Sequence, residues 1–322
     1  MKASKLRFRK CVIIVNPVSS SYDRGQKLIR QLADTYSDSS FEIIEMRKSD
    51  YERPSWLITR LNAAVKPNTL IGIAGGDGTI NLIVDTILRS AAVSKAVKNS
   101  VILPLWSGNA NDLAHMVNGN PPSNVNTILN DGEICLVHPL LVQTYHGSKT
   151  SAKLAVSYVS LGASAYASIR ISNSGHRKKR IYRVPGARNL NDMASVTRAF
   201  IGAATFESDI DGTKRPIYDL AMINGPRIAK VSRIPIKLTD KNFFEILIVR
   251  KHPLIFSYFM ELIKGITVER HTRTERTLTI NDTTWAQIDG EAVQIPGDTI
   301  ITVTPYEKPF RILSTKLTSS LI

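Results

Sequence analysis

The stretch Gly75-Gly76-Asp77-Gly78-Thr79 is the most informative part of the sequence, because of the residues on either side of it. Residues 69–74 form a short apolar run typical of a strand, and residues 80–88 have the apolar density of a buried helix. A strand, a glycine-rich turn and a helix start together expose backbone N–H groups at the positive end of a helix. Glycine also lets the backbone approach a ligand closely. The stretch therefore predicts a nucleotide phosphate site, with a plain tight turn as the alternative.

Composition narrows the class of protein. The chain has 322 residues, which fits two domains or one large α/β unit. Its 42 Lys and Arg against 27 Asp and Glu give a net charge of +15, so anionic partners are expected: nucleic acid, anionic lipid or phosphorylated substrates. Cys11 and Cys135 form no CxxC pair and are expected to be buried thiols. No signal peptide and no spanning apolar run is visible, so a cytoplasmic protein, transiently attached to a membrane surface, is expected.

The first third of the chain alternates strand-like and helix-like segments. Its predicted strands are residues 11–15, 41–46, 70–74 and 101–105, and its predicted helices are residues 25–36, 56–65 and the segment after Thr79. This order favours a parallel sheet with helices on both faces. Ligands in such sheets bind at the carboxyl ends of the strands. Asn16-Pro17, the glycine-rich turn and residues 106–112 each follow a strand, so three candidate loops are expected at one edge.

The character of the sequence changes at about residue 134. Short β-branched or aromatic runs then predict a second, mostly antiparallel domain over residues 135–304. Its predicted strands are residues 137–144, 154–161, 218–224, 243–249, 277–280, 285–288 and 299–304, with helix-like segments at 190–204 and 253–266. Residues 1–134 are predicted to form the nucleotide-binding domain, and whether residues 305–322 return to it stays open.

Four motifs in order carry a family resemblance. They are Asn16-Pro17 after the first strand, the glycine-rich turn, the loop with Trp106-Ser107 and Asn111-Asp112, and the late Asp289-Gly290-Glu291. Over Val12 to about Pro305 the chain resembles the diacylglycerol kinase catalytic-domain family, which includes soluble bacterial lipid kinases and sphingosine kinases.

The resemblance implies a two-domain lipid kinase that uses ATP and Mg²⁺. A Rossmann-like layered N-terminal domain would bind the nucleotide, a β-sandwich domain would bind the lipid acceptor, most simply diacylglycerol or a related lipid, and the active site would lie in the cleft between them. The residues implied to bind the nucleotide are Asn16, Gly75, Gly76, Asp77, Gly78, Thr79, Ser107, Asn111 and Asp112. The catalytic pair implied is Asp289 with Glu291.

Phosphoryl transfer needs carboxylates of this kind. Mg²⁺ takes oxygen ligands from one or two carboxylates and from phosphates, so Asp77 and Asp112 are the candidate metal ligands. The attacking hydroxyl must lose its proton, and Asp289 is the candidate base. Glu291 would shift the pKa of Asp289 or share the metal. On local sequence alone, Asp289-Gly290 is a type I′ hairpin turn, and such a turn can also present a base.

Some positions depart from the family pattern. Trp106-Ser107 stand where Gly-Thr is usual, and Ser107 or Asn109 takes the place of the threonine. Leu82 replaces an acid, and Lys241 stands near an acidic position that helps hold a structural Mg²⁺ in some relatives. These changes leave a non-catalytic nucleotide- or lipid-binding regulator open. An NAD kinase or 6-phosphofructokinase with a soluble acceptor is another alternative, which Asn16-Pro17 and the late Asp-Gly-Glu disfavour.

Basic residues cluster at residues 2–10, 176–188 and 264–276. A solvated face is the plain interpretation of such runs. For a lipid kinase they predict docking on an anionic membrane surface. No helix-turn-helix, zinc finger or RNA-binding signature supports a specific nucleic-acid partner.

Overall fold

The computed structural model describes residues 8–19, 22–36, 38–52, 54–108, 111–173, 198, 200–226, 237, 241–249 and 268–317. The strands are β1 (Lys10–Val15), β2 (Phe41–Glu45), β3 (Thr69–Gly75), β4 (Val101–Trp106), β5 (Glu133–Val137), β6 (Leu140–His146), β7 (Lys149–Ala155), β8 (Tyr158–Gly162), β9 (Phe206–Ile210), β10 (Thr213–Ile217), β11 (Asp219–Ile223), β12 (Phe243–Ile248), β13 (Val268–Arg273), β14 (Arg276–Ile280), β15 (Thr284–Ile288), β16 (Glu291–Ile295), β17 (Thr299–Pro305) and β18 (Phe310–Ser314). The helices are α1 (Tyr22–Ala33), α2 (Lys48–Glu52), α3 (Pro54–Ala64), α4 (Asp77–Arg89), α5 (Lys95–Lys98), α6 (Asp112–Asn118), α7 (Asn126–Asp131) and α8 (Ala163–Asn173), with a 3₁₀ turn at Asp38–Ser40.

The first domain contains a six-stranded sheet in the order β2-β1-β3-β4-β18-β5. Neighbours from β2 to β18 are parallel, and β5 is antiparallel to β18. The register pairs Val15 with Glu45 and with Ala74, and pairs Gly75 with Trp106. The carboxyl ends of β1 to β4 therefore meet at one edge, as the alternating sequence pattern predicts.

Both faces of this sheet are covered. On one face Val12 and Ile14 of β1 pack with residues of α3 and α4, and on the other Cys11 and Ile13 pack with Leu28 and other residues of α1. Successive strand residues point to opposite faces, so an unbroken apolar strand buried on both sides is the expected sequence of a central parallel strand.

The second domain is a sandwich of two six-stranded antiparallel sheets. Their orders are β10-β9-β14-β17-β6-β7 and β13-β12-β11-β8-β15-β16. Apolar side chains of both sheets, including Leu161, Leu220 and Val303, form one core between them. The predicted fold class, a layered α/β domain with a mostly antiparallel second domain, is confirmed.

Two predicted strands differ from the structure. Residues 154–161 are not one strand: β7 ends at Ala155, Val156 and Ser157 turn, and β8 begins at Tyr158. Residues 137–144 also divide, because Val137 ends β5 of the first sheet whereas β6 of the second domain starts at Leu140. Residues 310–314 form β18, which inserts between β4 and β5. The predicted helix 253–266, and residues 190–197 and 199 of the predicted helix 190–204, lie outside the described residues.

Within the described residues, none of the helices has the length and apolar character that crossing a membrane requires.

Arg276, from the basic stretch 264–276, is not a surface charge: it is 3% exposed, and its guanidinium binds Glu245 and Asp211. Arg273 binds the same buried Glu245. The other two basic clusters lie outside the described residues, apart from residues 8–10.

Candidate active site

The glycine-rich turn joins β3 directly to α4. Gly76 is the N-cap of α4, in an extended conformation (φ −79°, ψ 176°) and with no side chain capping the helix. The positive end of the helix is therefore left open to an anionic ligand.

Two glycines are required here by close packing. A Cβ on Gly75 would lie 2.6 Å from the side chain of Thr79. A Cβ on Gly108 would lie 2.4 Å from the backbone of Gly76, so the loop after β4 rests on the glycine-rich turn itself. The predicted meeting of these two loops is thus achieved by backbone contact, through a glycine, Gly108, that the sequence argument did not assign to the site.

Asn16, at the end of β1, joins the glycine-rich turn through its side chain. Its Nδ2 donates to Thr79 Oγ1 (2.9 Å) and to the hydroxyl of Tyr51 (2.8 Å). Tyr51 lies in α2, after β2, and 38% of it is exposed. The loop after β2 therefore contributes to the same edge. Sequence reasoning missed Tyr51, although the rule that placed the other three loops applies equally to this one.

Asp77, at the start of α4, and Asp112, at the start of α6, are neighbours; Asp112 is buried and Asp77 is half-buried. Asp77 Oδ1 accepts a hydrogen bond from the N–H of Leu113 (3.3 Å). Burial, then the negative charge of Asp112, raises the pKa of Asp77 to about 6, while N–H groups of residues 111–113 act in the opposite direction. A cation between the two carboxylates would remove their repulsion.

These residues fit a Mg²⁺ ion bound together with a nucleotide. Among the described residues no group of three or more His, Cys, Asp or Glu side chains is arranged to hold a metal. Mg²⁺ in phosphate sites needs only one or two carboxylates, because phosphate and water oxygens complete its shell. Asp77 and Asp112 would be those ligands.

The loop after β4 places two predicted residues in supporting positions. Ser107 is fully buried, and a Cβ on Gly25 of α1 would lie 2.7 Å from its Oγ, so its side chain faces α1. Asn111 closes the loop: its Oδ1 accepts from Gly108 N–H (2.6 Å) and its Nδ2 donates to Gly108 O (2.8 Å). Trp106 is buried and donates from Nε1 to Gly119 O (3.0 Å). Residues 109 and 110 lie outside the described residues.

Asp289 lies in a turn between β15 and β16, with φ of 43° followed by 91° at Gly290. Positive φ at both positions is the type I′ pattern expected from the sequence. Its carboxylate accepts from the N–H groups of Ser157 and Tyr158 (both 2.9 Å) and of Val156. Burial raises the pKa of Asp289 to about 7; these N–H groups lower it, and the charge of Asp77 adds a small rise.

The residues that hold Asp289 are themselves fixed. Asn224 Nδ2 donates to Val156 O (2.9 Å) and to His138 O (2.8 Å), so the residue after β11 supports the turn that binds the carboxylate. Gln287 Nε2 donates to the hydroxyl of Tyr158 (3.0 Å). Burial, then Asp289 and the two first-domain carboxylates, raises the pKa of Tyr158.

The glycine-rich turn and the late acidic pair meet. A Cβ on Gly78 would lie 3.3 Å from the carbonyl oxygen of Asp289 and 3.9 Å from Cγ of Glu291. The carboxylate of Glu291 is half exposed and pairs with Lys153 Nζ (3.3 Å). Asp289 is therefore the buried member of the pair and Glu291 the exposed one.

Helix α4 is also tied to the second domain. Asp85 Oδ1 accepts from the N–H of Leu154 (3.0 Å), and Arg89 donates to Ala152 O. Both partners lie in β7, directly before the turn that binds Asp289. The helix that starts at the glycine-rich turn therefore holds β7, which leads to the turn that binds Asp289.

Comparison with known proteins agrees with these motifs. Residues 10–136 match the diacylglycerol kinase catalytic domain family, which confirms the resemblance over this part of the chain. Comparison with curated proteins gave no match.

Solved structures share the whole fold at low identity. A candidate diacylglycerol kinase of Bacillus anthracis str. Sterne is 16% identical, with 98% of both chains covered and a TM-score of 0.66. A further diacylglycerol kinase of that organism is 13% identical, with 96% and 98% covered and a TM-score of 0.60. Yeast NADH kinase, in complex with NADH, is 11% identical, with 96% and 84% covered and a TM-score of 0.51.

Proposed function

We propose that this protein is an ATP- and Mg²⁺-dependent lipid kinase that transfers the γ-phosphate to a hydroxyl of diacylglycerol or a related lipid. The observation that carries the proposal is the contact between Gly78 and the turn of Asp289 and Glu291. It brings an uncapped helix start, suited to phosphate, against a buried carboxylate of another domain, suited to accept a proton.

The roles of the residues follow from this arrangement. N–H groups at the start of α4 bind phosphate oxygens, and Asn16 and Thr79 fix that end of the site. Bound Mg²⁺, held by Asp77 and Asp112, would neutralise phosphate charge. The acceptor oxygen forms a bond to the γ-phosphorus while the bond from that phosphorus to the β–γ bridging oxygen breaks. The proton of the acceptor passes to Asp289, and ADP leaves.

Three observations bear on the identity of the acceptor. The family match supports a lipid, whereas the fold likeness to yeast NADH kinase makes a nucleotide acceptor the relevant second candidate. The net charge of +15 supports transient contact with an anionic membrane, where a lipid acceptor would be presented.

One labelling experiment tests the proposal. The purified chain is incubated with Mg²⁺ and γ-labelled ATP, with diacylglycerol or a total lipid extract in mixed micelles, and in parallel with NAD. We expect label in lipid and none in NAD. Label in NAD alone would assign a soluble acceptor, and ATP binding without any transfer would indicate a regulator.

A further inference from the structure

Tyr51 occupies a position that none of the four motifs covers. Its hydroxyl lies 2.8 Å from Asn16 Nδ2 and 3.2 Å from Thr79 Oγ1. It therefore touches the two side chains that join the end of β1 to the glycine-rich turn. The same residue is 38% exposed, so a ligand can reach it.

The orientation of the Asn16 amide is fixed by the backbone. The N–H of Val18 donates to Asn16 Oδ1 (3.2 Å), which turns the amide nitrogen toward the two hydroxyls. That nitrogen donates to Tyr51 (2.8 Å) and to Thr79 (2.9 Å), so both of its hydrogens are used. Each hydroxyl oxygen thus accepts one bond and keeps its own proton.

A count of protons leaves one donor for a ligand. The two hydroxyl oxygens are 3.2 Å apart, so one of the two protons bonds the other oxygen. Either oxygen can be the donor of this bond; because Thr79 is only 5% exposed, we assign its proton to the bond with Tyr51. The Tyr51 proton is then left over, and among the residues that the structure describes we find no acceptor for it.

We infer that Tyr51 is a further residue of the nucleotide site, where its hydroxyl donates a hydrogen bond to a phosphate oxygen bound at the start of α4. This inference rests on the proposed function in taking ATP as the ligand. Two hydrogen bonds received by the phenol oxygen polarise its O–H bond and strengthen it as a donor. Burial, and then the charges of Glu291 and Asp50, raises the pKa of Tyr51, which keeps the proton on the phenol.

The test is ATP affinity, measured by calorimetry with and without Mg²⁺, for the parent chain, Tyr51→Phe and Tyr218→Phe. Tyr218 is the matched control, because its hydroxyl donates to Phe200 O in the second domain. Loss of a hydrogen bond to a charged group predicts about tenfold weaker ATP binding for Tyr51→Phe. The control should bind ATP as the parent chain does.

The outcomes separate this inference from the lipid kinase proposal. If Tyr51→Phe binds ATP more weakly but the parent chain labels no lipid, the role of Tyr51 is supported and the lipid kinase proposal is overturned. Unchanged ATP binding by Tyr51→Phe overturns the inference even if lipid is labelled. A parent chain that binds no ATP overturns it as well. Unfolding curves of both variants check that neither substitution acts through stability.

Discussion

Asp77, which is half-buried, and Asp289, which is buried, are carboxylates held in similar ways by different domains. Asp77 accepts N–H groups from the start of α6, and Asp289 accepts three from the turn between β7 and β8. Their neighbours differ. The charge of Asp112 is the second largest cause of the raised pKa of Asp77, whereas the pKa of Asp289 is raised mainly by burial.

This difference assigns a role to each. Two adjacent carboxylates repel one another and are relieved by a cation, so the first-domain pair suits Mg²⁺. A single carboxylate with a pKa near neutrality suits proton transfer, because a base works best when its pKa lies close to the working pH.

Asp289→Asn should produce the largest loss. Removing the base should lower the transfer rate about 1000-fold, within the range for general base catalysis, while ATP binding is retained. Asp219→Asn is the matched control, because this second-domain carboxylate is also buried and accepts the N–H of Ser164 (2.9 Å). Transfer by Asp289→Asn at the rate of the control, per folded molecule, would remove Asp289 as the base.

Asp112→Asn should have a smaller effect of a different kind. We expect the rate at fixed Mg²⁺ to fall about 100-fold and the Mg²⁺ concentration for half activity to rise, because one carboxylate ligand is lost. A Mg²⁺ titration of the variant measures both. An unchanged Mg²⁺ requirement in Asp112→Asn would contradict the role of Asp77 and Asp112 as metal ligands. A changed Mg²⁺ requirement in Asp289→Asn would contradict the assignment of separate roles to the two sites.

The pH dependence of transfer should follow Asp289. The base acts when ionised, and its ionised fraction grows as pH rises through about 7, so the rate should increase up to that pH and then level off. Below about pH 7 the fall should approach tenfold per pH unit. A raised carboxyl pKa also means that this group favours the folded state at low pH and loses that contribution as pH rises through about 7. A flat rate between pH 5 and 8 would argue against Asp289.

Glu291→Gln should change activity least, by about a few-fold. Its carboxylate is half exposed and paired with Lys153, and such surface pairs contribute about 0–1 kcal/mol to stability. Lys153→Met is the matched variant, since it breaks the same ion pair from the other side. If Glu291→Gln loses as much activity as Asp289→Asn while Lys153→Met does not, the exposed carboxylate has a chemical role of its own.

The parts of the fold that the sequence predicts are those encoded locally. The strands β1, β3 and β4 are unbroken apolar runs, and the glycine-rich turn lies between a strand and a helix, so their places in the fold follow from short stretches. Parallel order then brings their carboxyl ends to one edge. The proximity of Asp289 to this edge was predicted from the family resemblance alone, because the local sequence around residue 289 carries no signal of a contact with residue 78.

The parts that the sequence does not predict depend on distant partners. The turn at Val156 and Ser157 looks like the middle of an apolar strand, and it breaks because its N–H groups bind a carboxylate more than 130 positions away. Arg276 looks like a surface charge but is buried against Glu245. Tyr51 has an ordinary local sequence, and its importance depends on Asn16 and Thr79, which only the folded sheet brings to it.

The position of β18 has a consequence for biosynthesis. This strand holds β5 to β4, yet among the described strands it follows all of the second domain in chain order. The first-domain sheet therefore stays unfinished, with β4 exposing an open hydrogen-bonding edge, until the second domain has emerged from the ribosome. A nascent chain halted before residue 310 would carry a template for pairing with other chains, so chaperone demand should peak late in translation.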